Sequence, residues 1–395
     1  MSTLEEGALG ALTGLSLGDA LGMPTQSMNP AAIHETYGRV DTLRDAIADQ
    51  PISPGMPAGS VTDDTEQTLI VADLIVKGRG RIDSEQFAER LLAWEDDMKS
   101  RGSLDLLGPS TKLALEQVRR RADITTTGRT GTTNGAAMRV TPVGIANSPE
   151  DIRRLANRIY ESCRVTHDTT AGFQSAALIA MTVSLGLEGM TVRQTLSESL
   201  RLVPAMTAPR AWTPKASVPA RARQAMRLSE EFSDEDDFER HLIEDCGTSV
   251  ESNESVAAAF ALAWRFADDP QSALLTAVNL GGDTDTIAAM TGARTGARTG
   301  PEAFDRALCS QVASISHLDL QKTARSLIAL REQSAKPIRL NPSEIQQCKI
   351  QSTPKTMGHT QNTPPGRPDS SPVHLESKET IHVNCTKRGH HPLQG

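Results

Sequence analysis

Aromatic side chains are scarce in this sequence, with 3 Trp, 2 Tyr and 7 Phe among 395 residues. Cysteine is sparse too. The five thiols (Cys163, Cys246, Cys309, Cys348 and Cys385) lie far apart and form no CxxC pair. That excludes a disulfide framework and a cysteine-based zinc site, and it leads us to expect a reducing, cytoplasmic setting. Positive charge is not in excess: 41 Lys and Arg face 49 Asp and Glu, so the basic footprint of a nucleic-acid binder is missing. No membrane partner is expected either. The longest apolar stretch, Phe173 to Leu187, is interrupted by Gln174, three hydroxyl residues and a glycine, and it is short for a span. Glu5 and Glu6 stand where a secretory signal would carry basic residues. Runs of alternating β-branched residues are also lacking, which predicts an all-α protein.

The composition is uneven along the chain. Residues 336–395 hold 8 of the 22 prolines, 5 of the 9 histidines and none of the aromatics, with 8 basic and 4 acidic residues. Residues 1–335 therefore carry 33 basic against 45 acidic side chains. A Pro/Ser/Thr-rich tail cannot bury enough apolar surface to offset its ordering entropy, so 336–395 is expected to be disordered and 1–335 to form one domain.

Helical spacing dominates that body. Ser84 is placed to cap a helix with Phe87, Leu91, Trp94 and Met98 on one face. Pro149 is placed to start another, with Ile152, Leu155, Ala156, Ile159, Tyr160 and Cys163 inward. Residues 169–187, 191–203, 215–231, 253–267 and 270–280 follow the same pattern. Gly7, Gly10, Gly14 and Gly18 recur every three or four residues, as do Gly292, Gly296 and Gly300. Glycine costs a helix about 0.5–1 kcal/mol against alanine, so each ridge predicts close helix–helix approach. A core closed by small residues also accounts for the few aromatics.

Two acidic segments stand out. In Gly59-Ser60-Val61-Thr62-Asp63-Asp64-Thr65-Glu66-Gln67, Asp63 and Glu66 are spaced like a capping box at a helix start. In Asn279-Leu280-Gly281-Gly282-Asp283-Thr284-Asp285-Thr286, a glycine turn again precedes alternating Asp and Thr. Capping needs one such side chain, not four. Two helix starts rich in carboxylates and hydroxyls are read as halves of one site. Oxygen-only donors select a hard cation such as Mg²⁺, Mn²⁺ or Ca²⁺, and zinc would want nearby His or Cys. Four aspartates massed together raise one another's pKa unless cations lie between them, and two ions roughly 3.5–4 Å apart would answer that. Isoprenoid synthases also hold Mg²⁺ on helical aspartates, but they need an Asp-Asp-x-x-Asp spacing and an aromatic pocket, both lacking here.

Taken in order, Gly18-Asp19-Ala20-Leu21-Gly22-Met23-Pro24, Thr62-Asp63-Asp64-Thr65, Asn134 to Gly144, Thr166-His167-Asp168 and Gly281 to Thr286 resemble the motifs of ADP-ribosylglycohydrolases. The resemblance covers about residues 5 to 310. It implies an orthogonal all-helical domain with a dinuclear Mg²⁺ (or Mn²⁺) centre held by Thr62, Asp63, Asp64, Asp283, Asp285 and Thr286. It further implies cleavage of the glycosidic bond between ADP-ribose and a protein side chain or small acceptor. The cations would anchor the ribose hydroxyls and lower the pKa of the attacking water. Asp63, Asp64 and Asp283 would stabilise positive charge on the sugar carbon. Asn134, Gly135, Met138, Arg139 and His167 fall on the matching motifs and are the expected substrate-binding residues. The glycines between Gly128 and Gly144 suit a loop offering backbone N–H groups to phosphate, or an ordinary flexible loop. Arg139 would face a diphosphate or pair with an acidic neighbour.

Two departures from the family pattern matter. Where many members carry a glutamate after the first motif, this chain has Thr25-Gln26. Glutamine cannot take a proton, so either Asp63 or Asp64 activates the water, or the preferred substrate differs from arginine- or serine-linked ADP-ribose. A second reading, favoured by Gln26, is a weak or inactive relative that binds ADP-ribose and metal or serves structurally. The helix after Asp285 also carries Arg294 and Arg298 where small or apolar residues are usual, and both are expected to be solvated.

Overall fold

The computed structural model describes residues 3–101 and 107–335. They belong to one unit, Met1–Pro337; a second unit, Ile338–Gly395, lies outside the described residues, and with it the expected disorder of 336–395. Among the described residues there are seventeen α-helices and no strand, only isolated bridges such as Thr133–Glu251 and Thr169–Ala211. The all-α reading is correct.

Local capping chemistry sets many of the helix starts. Asp83, one residue before the expected cap, accepts from Glu85 N and Gln86 N and starts Ser84–Ser100, whose Phe87, Leu91, Trp94 and Met98 are all buried. Asp151, not Pro149, caps Ile152–His167 through Arg154 N. Thr191 and Gln194 form a reciprocal capping box before Val192–Leu202. Thr169 caps Thr170–Leu187, a helix long and apolar enough to cross a membrane by composition; 89% of it is buried inside the fold. The segment expected to be a loop between Gly128 and Gly144 instead folds, in its second half, into the short helices Gly135–Met138 and Thr141–Ala146.

The glycine ridges bring two helices into backbone contact. Thr3–Gly22 and Thr284–Thr299 pack so closely that a Cβ on Gly14 would lie 2.3 Å from the Gly292 carbonyl oxygen. A Cβ on Gly292 would lie 2.0 Å from that of Gly14. No side chain fits there, so the expected close approach is the reason for the glycines. This pairing also places Asp19, near the end of one helix, beside Asp285, at the start of the other.

Arg294 corrects the sequence reading. It is fully buried on Thr284–Thr299, while Arg298 is exposed as expected. Its Nε donates to Met290 O at 3.0 Å, and its guanidinium carbon lies 4.3 Å from the centre of the Phe260 ring. Neither terminal nitrogen has a hydrogen-bond partner. The close helix packing leaves this position no path to solvent.

Candidate metal centre and cleft

The Asp63–Lys77 helix begins at Thr62, whose side chain makes no capping bond. Its first donors are satisfied from outside. The Asp19 carboxylate accepts from Thr62 N and Thr65 N, both at 3.0 Å, and from the Thr62 and Thr65 hydroxyls at 2.8 and 2.6 Å. The capping box expected of Asp63 and Glu66 therefore does not form. Glu66 turns away to accept from Trp94 Nε1 and Arg101. With capping done by Asp19, the adjacent aspartates are free for other work. Asp63 lines a cleft, its Oδ2 accepting from Gln67 Nε2 at 3.1 Å. Asp64 points inward, with Oδ2 accepting from the Thr286 hydroxyl at 3.0 Å and Oδ1 buried without a hydrogen-bond partner.

The other half is shaped by a glycine turn. Gly281 and Gly282 have φ of 76° and 79°, a region that favours glycine, and a Cβ on Gly282 would meet Thr248 O at 2.4 Å. Ser27 N donates to Gly282 O at 2.6 Å, which ties this turn to the segment carrying Gln26. Asp283 then accepts from Asn134 Nδ2 at 2.5 Å, and Asp285 accepts from Thr286 N at 2.9 Å. One carboxylate oxygen each of Asp19, Asp64 and Asp285 lie within 4.8 Å of one another.

These carboxylates hold protons unusually tightly. Burial raises Asp19 and Asp283 to about 6, and it pushes Asp63, Asp64 and Asp285 well above the carboxylate range. After burial come the neighbouring charges: Asp19 and Asp283 act on Asp63, Asp285 acts on Asp64, and Asp283 acts on Asp285. Crowded, desolvated carboxylates of this kind cannot all ionise without a counter-charge. The unpartnered Asp64 oxygen and the all-oxygen donor set fit a hard divalent cation.

The cleft has a volume of about 340 Å³. Asp63, Asn134, Gly135, Met138, Asp283, Asp285 and Thr286 line it, together with Gln26, Ile52, Thr111, Lys112 and Val250. Thr62 and Asp64 sit behind these residues, almost fully buried. Arg139 and His167 do not line the cleft. Arg139 is fully buried, donating to Gln67 Oε1 at 2.6 Å and the Thr166 hydroxyl at 2.5 Å. His167 bonds the Thr133 and Thr166 hydroxyls at 3.0 and 2.7 Å, and burial with Arg139 nearby keeps it neutral. His167 stands directly behind Gly135, and Arg139 stands behind Asp63 with Gln67 between them. Gly128 and Gly131 do not face the cleft either. A Cβ on Gly131 would lie 2.1 Å from Thr166 O, so that glycine serves close backbone packing.

Asp19 and Gln67 lie within the sequence motifs, but their roles emerge only from the fold. A carboxylate inside a glycine-ridged apolar helix is a buried charge in need of partners, which is the signal that would have found Asp19.

The family model for ADP-ribosylglycohydrolase matches residues 1–337. The chain belongs to the ADP-ribosylglycohydrolase family. A relative in Escherichia coli (strain K12), the uncharacterized protein YegU, is 29% identical over 328 residues, covering 83% of this chain and 98% of that one. The human ADP-ribosylhydrolase ARH3 is 26% identical, covering 72% of this chain and 83% of its own length. A solved structure, an ADP-ribosylglycohydrolase-related protein complex, superposes with a TM-score of 0.61 at 24% identity, covering 84% of this chain and 99% of that one. This last likeness concerns the fold. Membership makes the chain an ADP-ribosylglycohydrolase-type hydrolase, and the buried Asp19, Asp64 and Asp285 form a cluster able to hold a metal.

Proposed function

We propose that this protein hydrolyses the glycosidic bond of ADP-ribosyl or related ribosyl conjugates in a reaction dependent on Mg²⁺ or Mn²⁺. The observation that carries this is the unpartnered, buried Asp64 oxygen within a carboxylate cluster at the wall of a cleft. Asp63, Asp64, Asp283 and Asp285 would hold the cations with the hydroxyls of Thr62 and Thr286. When bound, divalent ions supply charge that orients hydroxyl groups and makes water more acidic.

The remaining chemistry falls to the chain itself. Asp63 is the better proton acceptor of the adjacent pair, because it lines the cleft while Asp64 faces Thr286. Asp283, held by Asn134 in the same cleft, stabilises positive charge on the sugar carbon. Asn134, Gly135 and Met138 form the wall against which the substrate lies. Arg139 and His167 support that wall.

The test is turnover of a panel of ADP-ribosyl conjugates with and without Mg²⁺. Asp64→Asn and Asp283→Asn are expected to abolish turnover with helical circular dichroism unchanged; full turnover by both variants would sink the proposal. Gln26 lines the cleft in place of an ionisable group, which favours the second reading of a binding protein. That reading predicts an inactive wild type in which Gln26→Glu alone creates activity.

A further inference from the structure

Behind the cleft wall, Asp63 is tied to a buried cation through a single amide. Gln67 is fully buried, one helical turn after Asp63. Its Oε1 accepts from Arg139 Nη1 at 2.6 Å, while its Nε2 donates to Asp63 Oδ2 at 3.1 Å. Guanidinium only donates and carboxylate only accepts, so the amide has one permitted orientation. Arg139 is fixed in turn. Its Nη2 donates to the Thr166 hydroxyl at 2.5 Å, and its guanidinium carbon lies 5.1 Å from the centre of the Phe87 ring. No carboxylate touches Arg139 among the ion pairs of the described residues. A fully buried cation is costly without compensation, and the negative charge it reaches is Asp63, through the amide.

We propose that Gln67 is a positioning residue of the site: held by Arg139, it fixes one oxygen of Asp63 inside the wall and leaves the other to face the cleft. This rests on the metal site proposed above. A carboxylate restrained in this way loses little freedom when a cation binds. Outer partners of ligating groups typically change metal affinity 10–100-fold.

The test is Mn²⁺ titration of the whole protein, followed by calorimetry and by electron paramagnetic resonance of the bound ion. Gln67→Met is expected to weaken Mn²⁺ about 10–100-fold and to broaden the bound-ion signal. Thr166→Val removes the second anchor of Arg139 at nearly constant volume and is expected to weaken Mn²⁺ to a smaller degree, while Thr166→Ser restores wild-type affinity. That rescue separates positioning from packing. Wild-type Mn²⁺ affinity in Gln67→Met overturns the inference. If that variant does not fold, equal affinity in Thr166→Val and wild type overturns it. A wild-type protein that binds no Mn²⁺ overturns the metal site itself, and the inference falls with it.

Discussion

Replacing Arg294 by methionine should make this protein more stable. Arg294 is fully buried with two nitrogens lacking partners, and burial alone pushes its guanidinium far below the ordinary arginine value, to about 9. A displacement of that size corresponds to roughly 5 kcal/mol against the charged form. The Phe260 ring returns about 2 kcal/mol as a desolvated cation–π contact. The net cost is therefore about 3 kcal/mol, within the ~1–4 kcal/mol commonly recovered when buried ions give way to apolar side chains. Methionine is unbranched and flexible enough to occupy the vacated channel. The sign with pH follows from the direction of the shift. The native pKa lies below the unfolded one, so the cost is in full force below about pH 9 and fades only as pH climbs above it toward the ordinary arginine value. Urea unfolding followed by circular dichroism at pH 7 should show a higher midpoint for Arg294→Met with an unchanged slope. Arg298→Met, at an exposed position, should stay within about 0.5 kcal/mol of wild type. A midpoint for Arg294→Met at or below that of wild type would refute the reasoning and show that the guanidinium is compensated.

Two further outcomes follow from the same packing and charge. Gly292→Ala would drive a methyl group to within 2.0 Å of the Gly14 carbonyl oxygen, forcing the two central helices apart. Overpacking of this kind costs about 1–3 kcal/mol or more, read as a lowered thermal midpoint, and an unchanged midpoint would contradict the backbone contact. Protein stripped with a chelator should lose stability as pH rises through about 6, because Asp19 and Asp283 bind protons more tightly folded than unfolded. Their contribution is complete below the unfolded value of 3.8 and is lost above the native one. Mg²⁺ should restore the midpoint most strongly at pH 8; a flat profile in its absence would show that the carboxylates are already compensated.

Much of the architecture was legible in the residue pattern because its causes are local. The spacing of Phe87, Leu91, Trp94 and Met98 marks a helix face wherever that helix packs, and Thr191 with Gln194 caps a helix from its own sequence. The two Asp/Thr segments announce themselves because four carboxylates exceed what helix capping needs. The short helices Gly135–Met138 and Thr141–Ala146 are not legible, since glycine-rich stretches carry no periodicity and these helices are fixed by contacts distant in sequence, Gly135 against the His167 side chain and Gly144 against Ala180. The burial of Arg294 is not legible in the sequence, because its neighbours on the helix give no hint that Phe260 covers it.

Within the candidate site, residue type and order pick out the side chains of the proposed metal centre, because oxygen donors concentrated at two helix starts suit a hard cation. Tertiary structure decided how they are used. Asp19 takes over the capping of the Asp63–Lys77 helix from 43 residues away, which releases Asp63 and Asp64. Arg139 and His167 lie behind the cleft because the backbone at Gly131 and Gly135 packs directly onto the 166–167 segment. No local pattern encodes which polar group meets which across such distances. That choice is made when the glycine ridges bring Thr3–Gly22 against Thr284–Thr299, and buried donors and acceptors must then find partners in the space that remains.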